Sequence, residues 1–398
     1  MRIGIVTHKL LKGDGQARVN YELVKELQRR GHQVTLFSSS VTPELLDHAG
    51  TSWIPVPVKG WPSQLLKNLV FSVVSTARLL PRRRELDLLM VNGFITWVKS
   101  DVNAVHYVHG SWLRSKAHPF HQRRNASGWY QLLFTGVNAL LEKVAFARTD
   151  YLVPVSAKVK DEIEAMGFRR PESTRVISNG VDTDEFTPLR RVSRAQLGLP
   201  EQVPLALFAG DIKSSRKNLD SVLRAMTDVP GLHLAVAGRT KGSPFPQLAA
   251  ELGLKERVHF LDFRRDMADL MNNADFFVFP SRYEACTLAV IEALASGLPV
   301  ITTYQSGVSE LVDTAPSAGI VLEDAEDVRG LREAMRLLTE DAALRERMGG
   351  QARSIAERQR WESVAGKYIE LFEELHGNKT AGQAAAKGEW VELYERGR

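Results

Sequence analysis

The chain has 398 residues, 44% of them hydrophobic and 25% charged, with 29 glycines, 17 prolines and one cysteine. These proportions exclude a collagenous, mucin-like or largely disordered chain, and the length suggests two or three domains at roughly 150 residues each. One cysteine allows neither an internal disulfide nor a thiolate metal cage, which points to a reducing, cytoplasmic setting.

The first residues, Met-Arg-Ile-Gly-Ile-Val-Thr, read as a buried strand at Ile3–Val6 and not as a signal peptide. A polar loop, Lys12-Gly-Asp-Gly-Gln16, leads into a helix whose Val19, Leu23, Val24 and Leu27 share one face. Gly31-His32 ends that helix before a strand at Gln33–Phe37. An apolar stretch at Trp61–Leu80, with Leu65, Leu66, Leu69, Val70, Val73 and Val74, is followed by Pro81 and three arginines, Arg82 to Arg84. Strands are predicted at Leu88–Val91, Val105–Val108, Tyr151–Val155 and Arg175–Ile177. The turn-rich stretch Ser178 to Pro188 then marks a domain boundary.

After that boundary the opening pattern returns. Leu205–Gly210 is a strand, a basic loop follows, and Leu219, Val222, Leu223 and Met226 mark a helix that Gly231 stops before the strand Leu232–Ala237. Further strands are predicted at Arg257–Leu261, Phe276–Phe279, Pro299–Thr302 and Ile320–Leu322. Strands alternating with helices predict an α/β chain made of two doubly wound parallel-sheet domains. Residues 377–388 read as a mobile linker to a short charged segment. No apolar run approaches the ~18–20 residues a membrane-spanning helix needs. The formal charge of +5 is unevenly divided, with +9 on residues 1–190 and −4 on residues 191–398.

Ligands of doubly wound sheets bind at the carboxyl ends of the strands. The stretch from Phe279 to Ile301 begins where a strand ends and turns through Pro280-Ser281, with a helix predicted from near Cys286 to Gly297. Backbone N–H groups of Cys286, Thr287 and Leu288 at that helix start offer a seat for a phosphate. Glu284 precedes the start, and Glu292 follows about six residues into the helix, roughly 9 Å along its axis. Two carboxylates flanking an anion seat suit a diphosphate with a hydroxyl-rich group at each end, as in a nucleotide sugar.

This stretch, with its Glu284-x7-Glu292 pair, resembles the donor-binding motif of the retaining glycosyltransferases of family four, which have the GT-B fold. The resemblance extends over about residues 2–375 and includes Gly31-His32, Asn179-Gly180-Val181-Asp182, Phe208-Ala209-Gly210 and Trp361. It implies two Rossmann-like domains facing across a cleft, an acceptor domain at 1–185 and a donor domain at 186–364. Residues 365–398 would then form a helix and tail packing back towards the first domain. By the same resemblance Glu284 meets the donor sugar, Glu292 the ribose, and Lys217 the diphosphate. The arginine often found after the glycine of that loop is Asp211 here, so Arg216 is expected to supply the second positive charge. In the first domain His109 matches the histidine near the donor sugar, Gly15 would let the backbone approach sugar or phosphate, and Asp14 or Gln16 could face the acceptor. His106 is read as a packing residue. Base contacts are expected from the main chain around Asp262-Phe263-Arg264.

The activity implied is transfer of a sugar from a nucleoside-diphosphate sugar, UDP-linked by family frequency, to an acceptor hydroxyl with retained configuration. The leaving phosphate would help to deprotonate the acceptor, and no metal or other cofactor is expected. The acceptor would be a glycan, a lipid-linked sugar or a small molecule, in cell-envelope or exopolysaccharide synthesis, and nucleic acid is excluded as a partner for want of a recognition motif. The basic first half suggests a peripheral contact with an anionic membrane face through Trp61–Leu80, Arg82 to Arg84, Lys116, Arg123 and Arg124, with Trp112 and Trp129 nearby. Three alternatives stay open: a GT-B-fold epimerase or phosphorylase, a silent sugar-nucleotide or membrane-docking module, and, weaker, an oxidoreductase lacking Gly-x-Gly-x-x-Gly.

Overall fold

The computed structural model describes residues 1–13, 15–122, 124–167, 173–189 and 192–396, with side chains described as far as residue 381. Among these residues, two six-stranded sheets, parallel throughout, carry the molecule. The first holds β1 (Arg2–Val6), β2 (Gln33–Ser38), β3 (Thr51–Pro55), β4 (Leu88–Val91), β5 (Ser100–Val105) and β6 (Thr149–Pro154), in the order β3-β2-β1-β4-β5-β6. The second holds β7 (Leu205–Ala209), β8 (His233–Ala237), β9 (Val258–Phe260), β10 (Phe276–Val278), β11 (Val300–Thr303) and β12 (Gly319–Leu322), in the order β9-β8-β7-β10-β11-β12. Both sheets therefore follow one path, outward from a central strand and then back to its other side. The two halves are Rossmann-like sheets, as the sequence implied.

The central strands are buried on both faces, which is why they read as continuous apolar runs. Chain reversal leaves a crevice at the carboxyl ends of β1 and β4, and another at those of β7 and β10. The glycine-bearing stretch that includes Gly13 lies between β1 and α1 (Gly15–Arg29), the loop carrying Arg216 and Lys217 leaves β7, and the loop carrying Glu284 leaves β10.

Three local expectations are corrected. The strand placed at Val105–Val108 lies at Ser100–Val105. Its Asp101 and Asn103 are buried, satisfied by Arg83, Lys379 and the Leu89 amide in one case and by both backbone groups of Gly93 in the other. Such partners come from distant sequence, so the strand reads locally as a loop. Arg175–Ile177 is not a strand, although its amides at Arg175 and Ile177 donate to Leu152 and Pro154 of β6 at 3.2 and 3.1 Å. Residues 377–388 are not a linker: they lie inside one helix, Trp361–Arg396, where alanines favour helical backbone.

That last helix crosses back to the first sheet. Its Val364, Ala365, Tyr368, Ile369, Leu371 and Phe372 are buried with Ile3 and Ile5 of β1 and with Leu23 and Leu27 of α1 (Gly15–Arg29). The crossover begins at a tight joint where Val181 bridges to Arg360 and accepts from the Trp361 amide at 3.3 Å, and a Cβ on Gly180 would lie 2.5 Å from the Trp361 ring.

The expected membrane-facing surface is also rearranged. Helix α2 (Gln64–Leu79) exposes Leu66 and Val73 and continues into a 3-10 turn, Leu80–Glu85. Arg82 and Arg84 are exposed, but Arg83 turns inward to Asp101 at 2.9 Å. Trp112 is buried, whereas Trp61 and Trp129 lie open; Arg123 falls outside the described residues. Among the described residues, no helix is long and apolar enough to cross a membrane.

Candidate functional site

The donor-side loop is fixed by its neighbour. Ser281 Oγ and the Arg282 amide both donate to the carbonyl of Arg216, at 3.0 and 2.9 Å, which ties the loop after β10 to the loop after β7. Arg216 and Lys217 consequently converge on one carboxylate, Glu284. Arg216 reaches it at 3.0 Å, and Lys217 forms a direct ion pair with it. Lys217 is buried, with its ammonium 4.8 Å above the Phe279 ring centre. Gly210 has a φ of 154°, and a Cβ added there would lie 3.7 Å from Lys217 Cγ.

Burial lowers the Lys217 pKa, and Arg216 beside it acts in the same direction despite the opposing pull of Glu284. Burial alone would raise the Glu284 carboxyl, but Lys217 and Arg216 outweigh it and hold Glu284 below the usual carboxylate range. Two basic side chains thus converge on one largely buried carboxylate.

Four residues after Glu284 the helix α3 (Leu288–Ala295) begins, with Thr287 as an N-cap residue that makes no side-chain cap bond. The helix starts two residues later than its sequence implied, which leaves the amides around Cys286, Thr287 and Leu288 at the uncapped end. The Cys286 thiol is buried, and burial pushes it up to about 11, so the residue contributes backbone rather than a reactive sulfur. Glu292 lies one turn into the helix. Burial, with Glu185 acting the same way and Arg18 opposing, raises its carboxyl to about 7. Arg18 comes from α1 and also pairs with Glu22 at 2.6 Å and Asp182 at 3.6 Å.

On the other side of the cleft, His109 does not end a strand; it opens the short helix His109–Arg114, four residues beyond the end of β5. Glu142, on the helix Ala126–Ala147, accepts from the His109 amide at 3.0 Å and lies 3.2 Å from its Nδ1. His106 is the packing residue expected: its Nε2 is buried without a hydrogen bond, and burial lowers its pKa to about 4. Gly15 and Gln16 are the exposed first residues of α1, and a Cβ on Gly15 would meet nothing within 4 Å. Asp14 lies outside the described residues.

The two halves are joined at the site by side chains to which the sequence assigned no role. The Tyr283 hydroxyl donates towards the Val108 carbonyl at 3.2 Å and Glu162 at 3.0 Å, and its ring packs on Tyr107 and Trp112. Tyr283 precedes Glu284 as Val108 precedes His109, so this one side chain spans both halves of the site. Ser156 donates to the Ala285 carbonyl at 2.9 Å, and Asn179 to the Cys286 carbonyl at 2.8 Å. Tyr283 stood inside the motif as a detectable aromatic. Glu142 had only one local signal, a carboxylate on the buried stripe Thr135-Asn138-Glu142-Phe146 of a mostly apolar helix.

Comparison with known proteins gives this geometry a context. The family described as glycosyl transferases group 1 matches residues 190–355, and glycosyltransferase family 4 matches residues 13–185. Lipopolysaccharide glucosyltransferase WaaG of Escherichia coli (strain K12) is 29% identical over 212 residues, 51% of this chain and 56% of that protein. A D-inositol 3-phosphate glycosyltransferase of Mycolicibacterium smegmatis is 31% identical over 258 residues, 60% of this chain and 55% of that protein. The chain thus spans little more than half the length of these curated relatives. The solved structure of WaaG superposes with a TM-score of 0.75 at 23% identity, covering 93% of this chain and 99% of that one. Anabaena HepE in complex with UDP and glucose gives a TM-score of 0.69 at 18% identity, covering 94% and 100%. At these identities the superpositions establish the fold, GT-B.

Proposed function

Since this chain belongs to the glycosyltransferases of group 1 and family 4, we propose that it transfers a sugar from a nucleoside-diphosphate sugar to an acceptor hydroxyl, with retention of configuration. The observation that carries the reading is the convergence of Lys217 and Arg216 on Glu284 beside an uncapped helix start. A bound diphosphate would draw both cations and the free amides onto its oxygens. Glu284, released from part of its ion pairing, would then accept from hydroxyls of the sugar. Fixed cations at the departing phosphate stabilise the charge that builds as the glycosidic bond breaks. This is the role a divalent metal takes in other sugar transfers, and here the chain's own side chains are assigned to it. Glu292 is assigned to the ribose, Gly15 to the approach of the backbone towards the donor, and Asp14 and Gln16 to the acceptor side.

UDP is the proposed nucleotide, supported by the UDP held in the HepE structure. The acceptor is proposed to be a glycan or a lipid-linked sugar of the cell envelope, as in the named role of WaaG in lipopolysaccharide biosynthesis. For an acceptor presented at an anionic lipid surface, the first domain offers exposed Leu66, Val73 and Leu80 at seven-residue spacing, with Arg82 and Arg84 beside them. A second exposed stripe, Trp129, Leu133, Leu140 and Val144, runs along the helix Ala126–Ala147 with Lys143 and Arg148 exposed near its end. The test of the transferase reading is donor hydrolysis across UDP-, GDP- and ADP-sugars, which proceeds without the acceptor. One nucleotide sugar hydrolysed in preference supports it. Tight binding with no hydrolysis and no transfer to any acceptor points instead to a silent binding module.

A further inference from the structure

We infer that Glu142 is a positioning residue for this chemistry: it holds His109 as the Nδ1–H tautomer, so that Nε2 is presented as a hydrogen-bond acceptor to a hydroxyl of the donor sugar. The inference rests on the reading of His109 as a donor-sugar residue.

Glu142 is 1% exposed and projects from a helix that is otherwise mostly apolar. A carboxylate in such a place is tolerated only when hydrogen-bonded or paired. Its partners all belong to one short segment. The His109 amide is 3.0 and 3.2 Å from its two oxygens, the Gly110 amide is 3.4 Å away, and His109 Nδ1 is at 3.2 Å. The first two contacts cap the helix His109–Arg114, whose own N-cap residue, Val108, supplies no side-chain bond.

A cap alone would need only backbone amides, and a serine or aspartate at position 108 would provide it locally. Here the cap comes from a residue 33 positions away that also reaches the ring. An ionised carboxylate can only accept, so Nδ1 must donate. In a neutral imidazole that leaves the lone pair on Nε2. Nε2 makes no hydrogen bond to any described residue, and the His109 side chain keeps 19% of its surface open. Three rings fix its plane: Phe94, Tyr107 and Phe134 meet it edge-on at 5.4, 5.1 and 6.4 Å between centres. The ring therefore has a set orientation, a set tautomer and one free polar atom.

The test joins spectroscopy to kinetics. In the full chain carrying 15N-histidine, with the His109 signal identified by its loss in His109→Asn, long-range proton–nitrogen correlation at about pH 8 reads the tautomer. Protonated Nδ1 with bare Nε2 is expected in the unsubstituted protein. A proton on Nε2, alone or with Nδ1, overturns the inference whether or not any Glu142 variant folds. Glu142→Gln is expected to shift the proton towards Nε2. It should lower kcat for donor hydrolysis by at least about 10-fold, by analogy with loss of the partner that orients a metal-bound histidine, with donor KM much less affected. Glu142→Asp, which keeps the charge, should recover part of that loss. An unchanged tautomer and kcat in folded Glu142→Gln, with His109→Asn inactive, overturns the role of Glu142 alone. Wild-type activity in His109→Asn instead overturns the reading of His109 itself.

Discussion

At the scale of single residues, the donor side has charge groups whose removal should separate binding from chemistry. Lys217→Ala deletes a buried cation proposed above to meet the departing diphosphate, and turnover of donor should fall by about 10²–10³, or ~2.7–4 kcal/mol, by analogy with loss of one transition-state donor. Hydrolysis at the wild-type rate would remove Lys217 from the diphosphate site. Glu292 carries an opposite kind of signature. Its carboxyl ionises near 4.5 ordinarily and near 7 in the fold, so the folded state loses stability as pH rises through that interval. Glu292→Gln should therefore resist urea better than wild type at pH 8, by at most ~3 kcal/mol, and equally at pH 4. The same substitution should weaken binding of the free nucleoside diphosphate; a variant with unchanged affinity has no ribose contact at this position. Glu284, Lys217 and Glu292 were legible because they lie in short contiguous stretches with a recognisable order. Glu142 was not, because its significance comes from His109, which sits on another element and is brought to it only by the packing of two helices.

At the scale of elements, the donor loop is held by shape as well as by bonds. Gly307 packs so closely that an added Cβ would lie 1.8 Å from the Ala285 carbonyl oxygen and 2.3 Å from Ser156 Oγ. Gly307→Ala should displace the segment between Glu284 and Thr287 and abolish measurable donor binding by calorimetry, while the far-ultraviolet dichroism of the two sheets persists. Full donor affinity in that variant would mean that the loop can shift without consequence. Tyr283→Phe removes a hydroxyl shared between the Val108 carbonyl, which keeps the Trp112 amide, and Glu162, which keeps Lys158. It should cost about 0.5–1.5 kcal/mol in urea denaturation; no change in midpoint would show the strut to be idle. The elements most legible in the sequence were those with apolar runs, such as Leu88–Val91 and Leu205–Ala209, because a strand covered on both faces has no reason to alternate. The displaced strand Ser100–Val105 shows the limit. Its buried Asp101 and Asn103 carry polarity that only tertiary partners neutralise, and those partners stand up to 278 residues away.

At the scale of the whole molecule, the positive excess of the first half is distributed unequally between internal ties and open surface. Of its ion pairs, Arg83 with Asp101 is largely withdrawn from solvent, Arg2 with Asp87 and Lys99 with Asp150 lie at the surface, and Arg82 and Arg84 are exposed. Replacing Arg82 and Arg84 by serine should reduce co-sedimentation with vesicles containing anionic lipid, most clearly at low salt; undiminished binding would eliminate this surface as the docking face. The crossover helix is the other global feature. Phe372 is fully buried under the first sheet, and Phe372→Ala should destabilise the protein by about 3–5 kcal/mol, with the loss concentrated in the first half as read by hydrogen exchange. This crossing has a consequence in time as well as in space. The last strand of the first sheet ends at Pro154, yet Tyr368 and Phe372 must arrive before Ile3, Leu23 and Leu27 are covered. Ribosomes add about 5–20 residues per second, so the intervening roughly 220 residues keep that apolar face waiting for something like 10–45 s. The second sheet can close while it waits. In this chain the half made first is the half finished last, and a nascent chain released early would carry an open hydrophobic flank into the cell.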